Sequence, residues 1–358
     1  MHQFSQAWKA AQAAYKTDEL HDDLKPLKWT LKALLSGDEP PKNGKVLDSL
    51  RDIINRKAKQ VATSASVPLH EATGRVIVQY AGTAASKNTR AAMLKMLYHL
   101  YMVGSSGSQA LWVYAPPTCY DKWIFSEVKN INDDAGLITV LGKDGPEVYS
   151  AKQRGLMLQS VLTAKALSLN AHALAARAEG KTLDLIRNYF ATAATTESQL
   201  KTIASRLAKG FQLMAFALNR GVVVISDEPK DRAGGGWGDF ALAYIGEDMC
   251  VIYVQGGMLA KVDSYGGGDE KSLMRTARTI VHETSHKAVH TDDVIYGSAG
   301  GLKVEGSATL TPEYAIANAD SWAYFCADVN DKLRPSAKVR ARTAAPAILG
   351  APTTTLAV

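Results

Sequence analysis

The chain has 358 residues, of which 46% are apolar, 21% charged and 8% aromatic, as expected for a globular protein of one or two domains. The formal net charge of +6 is too modest to indicate a nucleic-acid partner, and no DNA- or RNA-binding signature accompanies it. No apolar run approaches the roughly 18 residues that indicate a membrane span.

The first 20 residues contain no basic segment followed by an apolar one, so they predict no classical secretory signal. Cys119, Cys250 and Cys326 permit at most one disulfide, and no two of them have metal-ligand spacing. We therefore expect either a cytoplasmic location or export by a route that needs no signal peptide.

Residues 1–150 are predicted to form a separate α-rich domain. Three segments carry apolar stripes at helical spacing, a further helix is predicted over 89–103, and the runs 75–80 and 110–115 are typical of strands. The stripes are Phe4, Ala7, Trp8, Ala11 and Tyr15, then Leu27, Leu31, Leu34 and Leu35, then Leu47, Leu50, Ile53 and Ile54. No catalytic constellation is present here, so we expect a packing or partner-recognition role.

A predicted β-hairpin over 127–149 marks the domain border, because turn signals flank the apolar run 137–141. Beyond it, the pattern predicts helices over 151–178, 183–190 and 199–219 and strands over 221–226, 241–245 and 251–255. Either of the last two strands is a candidate to pair with the backbone of a bound peptide. The basic tail, 335–358, is predicted to be disordered.

Three sequence features imitate functional motifs. The segment 70–74, HEATG, begins like a zinc motif but ends in glycine and predicts no metal site. The glycine clusters at 234–238 and 266–268 lack the lysine and the strand-to-helix context of a phosphate loop, so they predict flexible loops.

The strongest motif is His282-Glu283-Thr284-Ser285-His286, the HExxH pattern. The preceding residues 272–281 have apolar side chains at helical spacing, so both histidines are expected on one face of a helix, where they can reach one metal ion. A catalytic zinc site has three protein ligands and one water, and Glu283 is the candidate general base that takes the proton of that water.

The third ligand has several candidates. A thermolysin-like site would use a later glutamate, Glu305 or Glu313, although neither lies in a recognisable helical motif. A metzincin-like turn would use Asp292, but it requires glycine where Val289 stands. The third candidate is Asp293, within the segment 291–297, TDDVIYG.

This segment resembles the GTxDxxYG motif of the aspzincins, the family of deuterolysin and peptidyl-Lys metalloendopeptidase, with His290 in place of the leading glycine. The segment 318–325, NADSWAYF, is similar to the NADSxxxF segment of the same family. The strand-like run 250–254 more weakly resembles the family's strand before its catalytic helix. The resemblance covers about residues 151–334 and leaves the first 150 untouched.

The resemblance implies an α+β, zincin-like metallopeptidase domain over 151–334. It makes His282, His286 and Asp293 the Zn²⁺ ligands, Glu283 the general base and acid, and Tyr296 the donor that stabilises the oxyanion. Asp292 remains the alternative ligand, and a packed aromatic remains the alternative role of Tyr296. Because glycine tolerates positive φ, His290 is expected to carry slight strain in this turn, to change the turn locally or to be a fourth ligand, and we favour a variant of the turn.

In lysine-specific aspzincins, acidic side chains after the zinc site hold the substrate lysine. Asp320 matches one such position, whereas Ala323 stands where a second carboxylate would be. We therefore predict a zinc endopeptidase acting on proteins or peptides, with Asp320 favouring lysine on the carboxyl side of the cut. A refinement is a delivered bacterial effector whose residues 1–150 serve delivery or inhibition. The alternative is a non-catalytic, zinc-stabilised binding module.

Overall fold

The computed structural model describes residues 3–16, 25–37, 44–82, 86–103, 111–114, 117–120, 124–146, 149–220, 222–225, 241–244, 246–255, 257–258, 270–298 and 300–347. These residues are mostly helical and contain one small sheet. None of the described helices is long and apolar enough to cross a bilayer. Both glycine clusters, 234–238 and 266–268, lie outside the described residues.

The first ten helices precede most of the sheet. They are α1 (Phe4–Lys16), α2 (Lys25–Leu35), α3 (Gly44–Ala65), α4 (Leu69–Ala81), α5 (Lys87–Met102), α6 (Ile124–Val128), α7 (Asp134–Leu141), α8 (Ala151–Arg177), α9 (Gly180–Phe190) and α10 (Glu197–Arg220). The later helices are α11 (Glu270–Val289), α12 (Pro312–Ala317), α13 (Ala319–Val329) and α14 (Pro335–Ala341). The strands are β1 (Leu111–Tyr114), β2 (Val222–Ile225), β3 (Ala241–Leu242) and β4 (Val251–Val254).

The chain divides into two compact units, each assembled from separated stretches of sequence. The first contains Met1–Met157, Arg220–Leu242 and Glu247–Ala260, and the second contains Leu158–Asn219, Ala243–Gly246 and Lys261–Val358. The strands after residue 220 belong to the same unit as the N-terminal helices. The sequence analysis had predicted these strands to lie in the metallopeptidase domain, 151–334. The predicted domains, 1–150 and 151–334, remain a prediction.

The sheet of the first unit has the order β1-β2-β4-β3. β1, β2 and β4 run parallel, with Val113 opposite Val224 and Val224 opposite Ile252, and β3 is antiparallel to β4. The four predicted strands, 110–115, 221–226, 241–245 and 251–255, are confirmed in type. The last two are shorter than predicted, and the predicted ends of the first two lie outside the described residues. Because β4 has a neighbour on either side, β3 is the only one of the two candidate substrate strands with an edge in the described sheet.

The predicted helical stripes form the core of the first unit. Their buried members are Phe4, Ala7, Trp8 and Ala11 in α1, Leu31, Leu34 and Leu35 in α2, and Leu47, Leu50 and Ile54 in α3. Two backbone amides at the start of α1 find buried acceptors, since Phe4 donates to the Tyr253 hydroxyl and Ser5 to the Glu247 carboxylate, both at 2.9 Å. The predicted helix over 89–103 is α5, and the hydroxyl of Ser86 caps it.

Two predicted β-segments of this unit are helical instead. Residues 75–80 belong to α4, where Arg75 pairs with Glu71 one turn earlier and the apolar residues are buried. Residues 137–141 belong to α7, because the Asp133 carboxylate accepts the Gly136 amide at 2.7 Å and starts a helix. Both runs are short and apolar, and periodicity alone does not separate a buried strand from a buried helix in such runs.

The second unit is built around an aromatic cluster behind α11 and α13. Phe190 and Phe211 each pack against both Trp322 and Phe325, at ring-centroid distances of 5.1 to 6.3 Å. Each edge-to-face pair contributes about 0.5–1.5 kcal/mol beyond its buried area. α13 begins in the segment NADSWAYF, so the aromatic residues of that segment fix its helix against α9 and α10 and thereby place its polar residues.

The predicted disorder of 335–358 is wrong for residues 335–347. They form α14, where Ala341 is buried, and a following stretch, where Ala345 is buried. Three basic residues of this segment reach acceptors: Lys338 and Arg342 at Asp328, and Arg340 at the Gly297 carbonyl. Residues 348–358 lie outside the described part of the chain.

Candidate metal centre

Helix α11 carries both motif histidines on one face, as predicted. His282 and His286 are 8% and 7% exposed, and their Nε2 atoms lie 3.2 Å apart. Ile280 and Val281 of the same helix are buried in the core. The apolar face of α11 therefore fixes the helix, and four-residue spacing brings the two imidazoles together.

α11 ends at Val289, and the chain turns back through His290. The φ angle of His290 is +57°, in the left-handed region that glycine adopts most easily. The side chain of His290 is exposed and outside the cluster of possible ligands. The turn is therefore kept with histidine in the glycine position, as favoured from the sequence, and the fourth-ligand alternative has no geometric support.

The turn brings Asp293 to the histidines. Its Oδ1 atom lies 3.0 Å from His282 Nε2 and 3.6 Å from His286 Nε2. Among the described residues, these three form the one group of His, Cys, Asp or Glu whose ligand atoms converge for a metal ion. The other candidate ligands, Asp292, Glu305 and Glu313, do not belong to this group.

Asp292 has a different function in the turn. Its amide donates to Ala317 O at 2.6 Å, and its carbonyl accepts from Ala319 N at 2.9 Å, so its backbone holds the turn against the start of α13. Its side chain is exposed. Adjacent residues in an extended stretch point to opposite sides, and here it is Asp293 that faces the histidines.

The dimensions of this group fit zinc. A tetrahedral ion with bonds of about 2.0–2.1 Å requires its ligand atoms to be about 3.3–3.4 Å apart. The three distances in the cluster, 3.2, 3.0 and 3.6 Å, are close to that requirement. Two nitrogens and one carboxylate oxygen also form a donor set that zinc accepts, with one position left for water.

The hydrogen bonds behind the histidines select the tautomer that a metal needs. His286 Nδ1 lies 2.7 Å from the carbonyl oxygen of Thr291, which can only accept, so Nδ1 carries a proton. His282 Nδ1 lies 2.7 Å from Asp320 Oδ1, a carboxylate that likewise accepts. In the neutral imidazoles both Nε2 atoms are then unprotonated, and they face each other and Asp293 as three electron-rich atoms.

The segment NADS supports the turn from behind. Asn318 Oδ1 accepts the amides of Val294 and Ile295, both at 3.1 Å, and its Nδ2 donates to Ser321 Oγ at 3.0 Å. Asn318 and Ser321 are fully buried. The amide side chain therefore holds the residues directly after Asp293, which explains why the two sequence motifs accompany each other.

Asp320 lies behind His282. Its Oδ1 atom lies 2.7 Å from His282 Nδ1, and its Oδ2 atom accepts the Gly297 amide at 2.7 Å. Both oxygens therefore have partners within the site, and the contact of this carboxylate with a substrate lysine stays a prediction. The geometry makes Asp320 a positioning residue for His282, a contact that sequence spacing alone did not reveal.

Glu283 and Tyr296 lie beside the converging ligands. Glu283 is 4% exposed, and burial raises its pKa to about 7, against the opposing effect of His282. The Tyr296 ring stacks on His282 with centroids 6.1 Å apart, and its hydroxyl feels the charge of Asp293. Burial and the Asp293 charge raise the pKa of Tyr296, so its hydroxyl keeps its proton and remains a donor.

The carboxylates also control the histidine charges. Burial lowers the pKa of His282, but the hydrogen bonds to Asp293 and Asp320 and the nearby carboxylate charges together outweigh burial, so the pKa lies well above its ordinary value. Burial lowers the pKa of His286. In the metal-free site, His282 therefore carries a second proton, and a bound metal would displace that proton.

Gly297 is required by close packing. A Cβ atom at this position would lie 2.8 Å from Tyr324 Cε2 and 2.9 Å from Leu302 Cδ1, too near for a side chain. The Tyr324 ring is itself covered by the Arg278 guanidinium, 4.0 Å from its centroid. The glycine of the YG pair thus lets the turn approach α13 and keeps Tyr296 over the histidines.

Comparison with the sequence models of protein families agrees with the motifs. Residues 175–327 match the sequence model of the aspzincin family, described as lysine-specific metallo-endopeptidase. A solved structure described as a zinc peptidase from Grifola frondosa is 18% identical, with a TM-score of 0.34, and the alignment covers 51% of this chain and 98% of that chain. No curated protein matches the chain.

The family match confirms the resemblance inferred from the two motifs, over residues 175–327. It also confirms two expectations that followed from that resemblance, a metalloendopeptidase and a zinc cofactor. The described residues are mostly helical, with little sheet. The roles of individual residues are not part of the match and rest on the geometry described above.

Proposed function

We propose that this aspzincin-type metalloendopeptidase holds its zinc with His282, His286 and Asp293 and hydrolyses peptide bonds with Glu283 as general base. The observation that supports this assignment is the convergence of two imidazole nitrogens and one carboxylate oxygen at 3.0 to 3.6 Å on a helix that also carries Glu283. The hydrogen bonds at both Nδ1 atoms leave the ligand nitrogens free to bind a cation.

Zinc, when bound, supplies a Lewis acid that brings the pKa of water toward about 7 and polarises the substrate carbonyl. Glu283 accepts one proton from the attacking water while the oxygen of that water bonds to the carbonyl carbon. The same carboxyl then gives that proton to the amide nitrogen as the carbon–nitrogen bond breaks. A raised pKa of about 7 suits both steps, because the group must bind and release a proton near neutral pH.

Tyr296 is the proposed donor to the oxyanion that develops on the carbonyl oxygen. Its hydroxyl is beside Asp293, its side chain is 49% exposed, and its raised pKa keeps the proton in place. Such a donor contributes about 3–4 kcal/mol to stabilisation of the transition state. The packed-aromatic alternative fits less well, because a purely structural tyrosine would not leave half of its surface open.

Lysine on the carboxyl side of the cut remains a prediction. The description of the matched family supports it, but both oxygens of Asp320 have partners and Ala323 is buried. The sequence of the cleaved ends in an unstructured protein decides it. The effector role and a delivery or inhibitory partner for residues 1–150 also remain predictions, and a chain lacking those residues, compared in activity and export, tests them.

The function itself is tested by zinc content and cleavage of an unstructured protein, comparing wild type, Glu283→Gln and Glu313→Gln. We expect one zinc in each protein, with cleavage lost only in Glu283→Gln. Glu313 is an exposed glutamate on α12, so Glu313→Gln makes the same chemical change away from the site. Zinc without cleavage in the wild type would favour the binding-module alternative, and no zinc would refute the site.

A further inference from the structure

A short C-terminal segment, residues 335–347 and hereafter the C-terminal strap, pairs with the loop that follows the metal centre. The Leu302 amide donates to Ala341 O and the Lys303 amide donates to Thr343 O, both at 2.9 Å. These are backbone bonds, so they fix the path of the strap along that loop. The strap begins beyond the last residue of the family match, which therefore does not account for it.

A buried ion pair anchors the strap. Asp328 of α13 is completely buried, and its two oxygens accept from Arg342 Nε and Nη2 at 2.8 Å each. Lys338 Nζ lies 3.5 Å from the same carboxylate, and the Tyr189 hydroxyl donates to it at 3.1 Å. Because a buried carboxylate without its cation is strongly unfavourable, Asp328 keeps the strap docked.

The anchored strap also brings an arginine to the residue that follows Tyr296. Arg340 Nε donates to the carbonyl oxygen of Gly297 at 3.0 Å. The amide of Gly297 is held by Asp320, which also holds His282. Gly297, the residue directly after Tyr296, is therefore held at its amide by Asp320 and at its carbonyl by Arg340 of the strap.

We propose that the C-terminal strap is an integral part of the active site and that Arg340 is a positioning residue for Tyr296. Holding Gly297 at both ends keeps the Tyr296 hydroxyl where the oxyanion develops, and a small displacement of such a donor lowers the rate. Arg340 contacts neither the ligands nor the substrate carbonyl, so it acts only through the turn. The catalytic part of this inference rests on the proposed function, whereas the structural part does not.

The structural part is tested by hydrogen–deuterium exchange of the zinc-loaded full-length protein. In Arg340→Ala, peptides covering 294–302 should exchange about tenfold faster, while peptides from α11 keep their wild-type rates. Val339→Ala is the matched control, because Val339 is the neighbouring residue on α14 and is 68% exposed. Unchanged exchange over 294–302, or equal acceleration throughout the second unit, would overturn the positioning role.

The catalytic part is tested by a double-mutant cycle with Tyr296→Phe. Arg340→Ala should lower kcat about tenfold with KM and zinc content unchanged, and Arg340→Lys should recover part of the loss. In the Tyr296→Phe background the same change should cost less than about twofold, because no donor is left to position. Equal losses in both backgrounds would overturn the inference. A wild type that cleaves nothing would refute the proposed function instead, and the exchange experiment would still decide the role of Arg340.

Discussion

Replacing Asp320 by asparagine separates the role found in the structure from the role predicted from sequence. The carboxylate accepts two hydrogen bonds of 2.7 Å, from His282 Nδ1 and from the Gly297 amide. Asparagine has one acceptor oxygen, so one of the two donors would face an NH₂ group. Partners of metal-bound histidines typically contribute 10- to 100-fold to metal affinity, which corresponds to about 1.4–2.7 kcal/mol.

We therefore expect Asp320→Asn to weaken zinc binding about 10- to 100-fold, measured by competition with a chromogenic chelator at pH 7. Asp292→Asn is the control, since it makes the same change on an exposed side chain of the same turn. Wild-type zinc affinity in Asp320→Asn, together with a raised KM for lysine-containing substrates alone, would refute the positioning role and restore the substrate-binding one.

Two further predictions concern packing and protonation. Gly297→Ala should lower the free energy of unfolding by about 1–3 kcal/mol, because the added Cβ would lie 2.8 Å from the Tyr324 ring; a wild-type midpoint of thermal unfolding would contradict this packing. Zinc affinity should fall about tenfold per pH unit below the raised pKa of His282, because a bound proton must leave before zinc enters. As the pH is lowered, zinc affinity should begin to fall while the pH is still above 6.5, the ordinary pKa of histidine. A zinc affinity that stays constant between pH 6 and 8, measured with a competing chelator, would show that no proton on His282 competes with zinc.

The convergence of the three candidate ligands was predictable because its constraints are local in sequence. Four-residue spacing on a helix determines how His282 meets His286, and the seven-residue segment that follows determines where Asp293 returns. The positive φ expected at position 290 is present in the structure. The choice between Asp292 and Asp293 needed the resemblance, because spacing alone left both in place, and the structure adds the backbone bonds that occupy Asp292.

The errors arose where tertiary contacts decide the structure. The run 75–80 has β-branched residues typical of strands, yet it is helical in α4, where Gly74 allows close packing on α7. A Cβ at Gly74 would lie 2.7 Å from the Gly142 amide nitrogen. The same glycine ends the zinc-like segment HEATG, so its presence there reflects helix packing.

The ordered C-terminal strap could not be predicted from sequence patterns, because contacts distant in sequence hold it in place. Its composition, with several basic residues, prolines and alanines, is typical of disorder, and no periodicity indicates Asp328 as a partner for Arg342. Only the fold brings that buried carboxylate to the segment, across 14 positions of sequence. The contact of Arg340 with Gly297 spans 43 positions and follows from the same docking.

The most direct test of Glu283 as the general base is the ratio of cleavage rates between wild type and Glu283→Gln at equal zinc occupancy. We expect Glu283→Gln to lower the cleavage rate about 10²- to 10⁴-fold, the usual contribution of a general base, with the zinc content unchanged. Equal cleavage rates in the two proteins would contradict the assignment of Glu283, and with it the proposed mechanism.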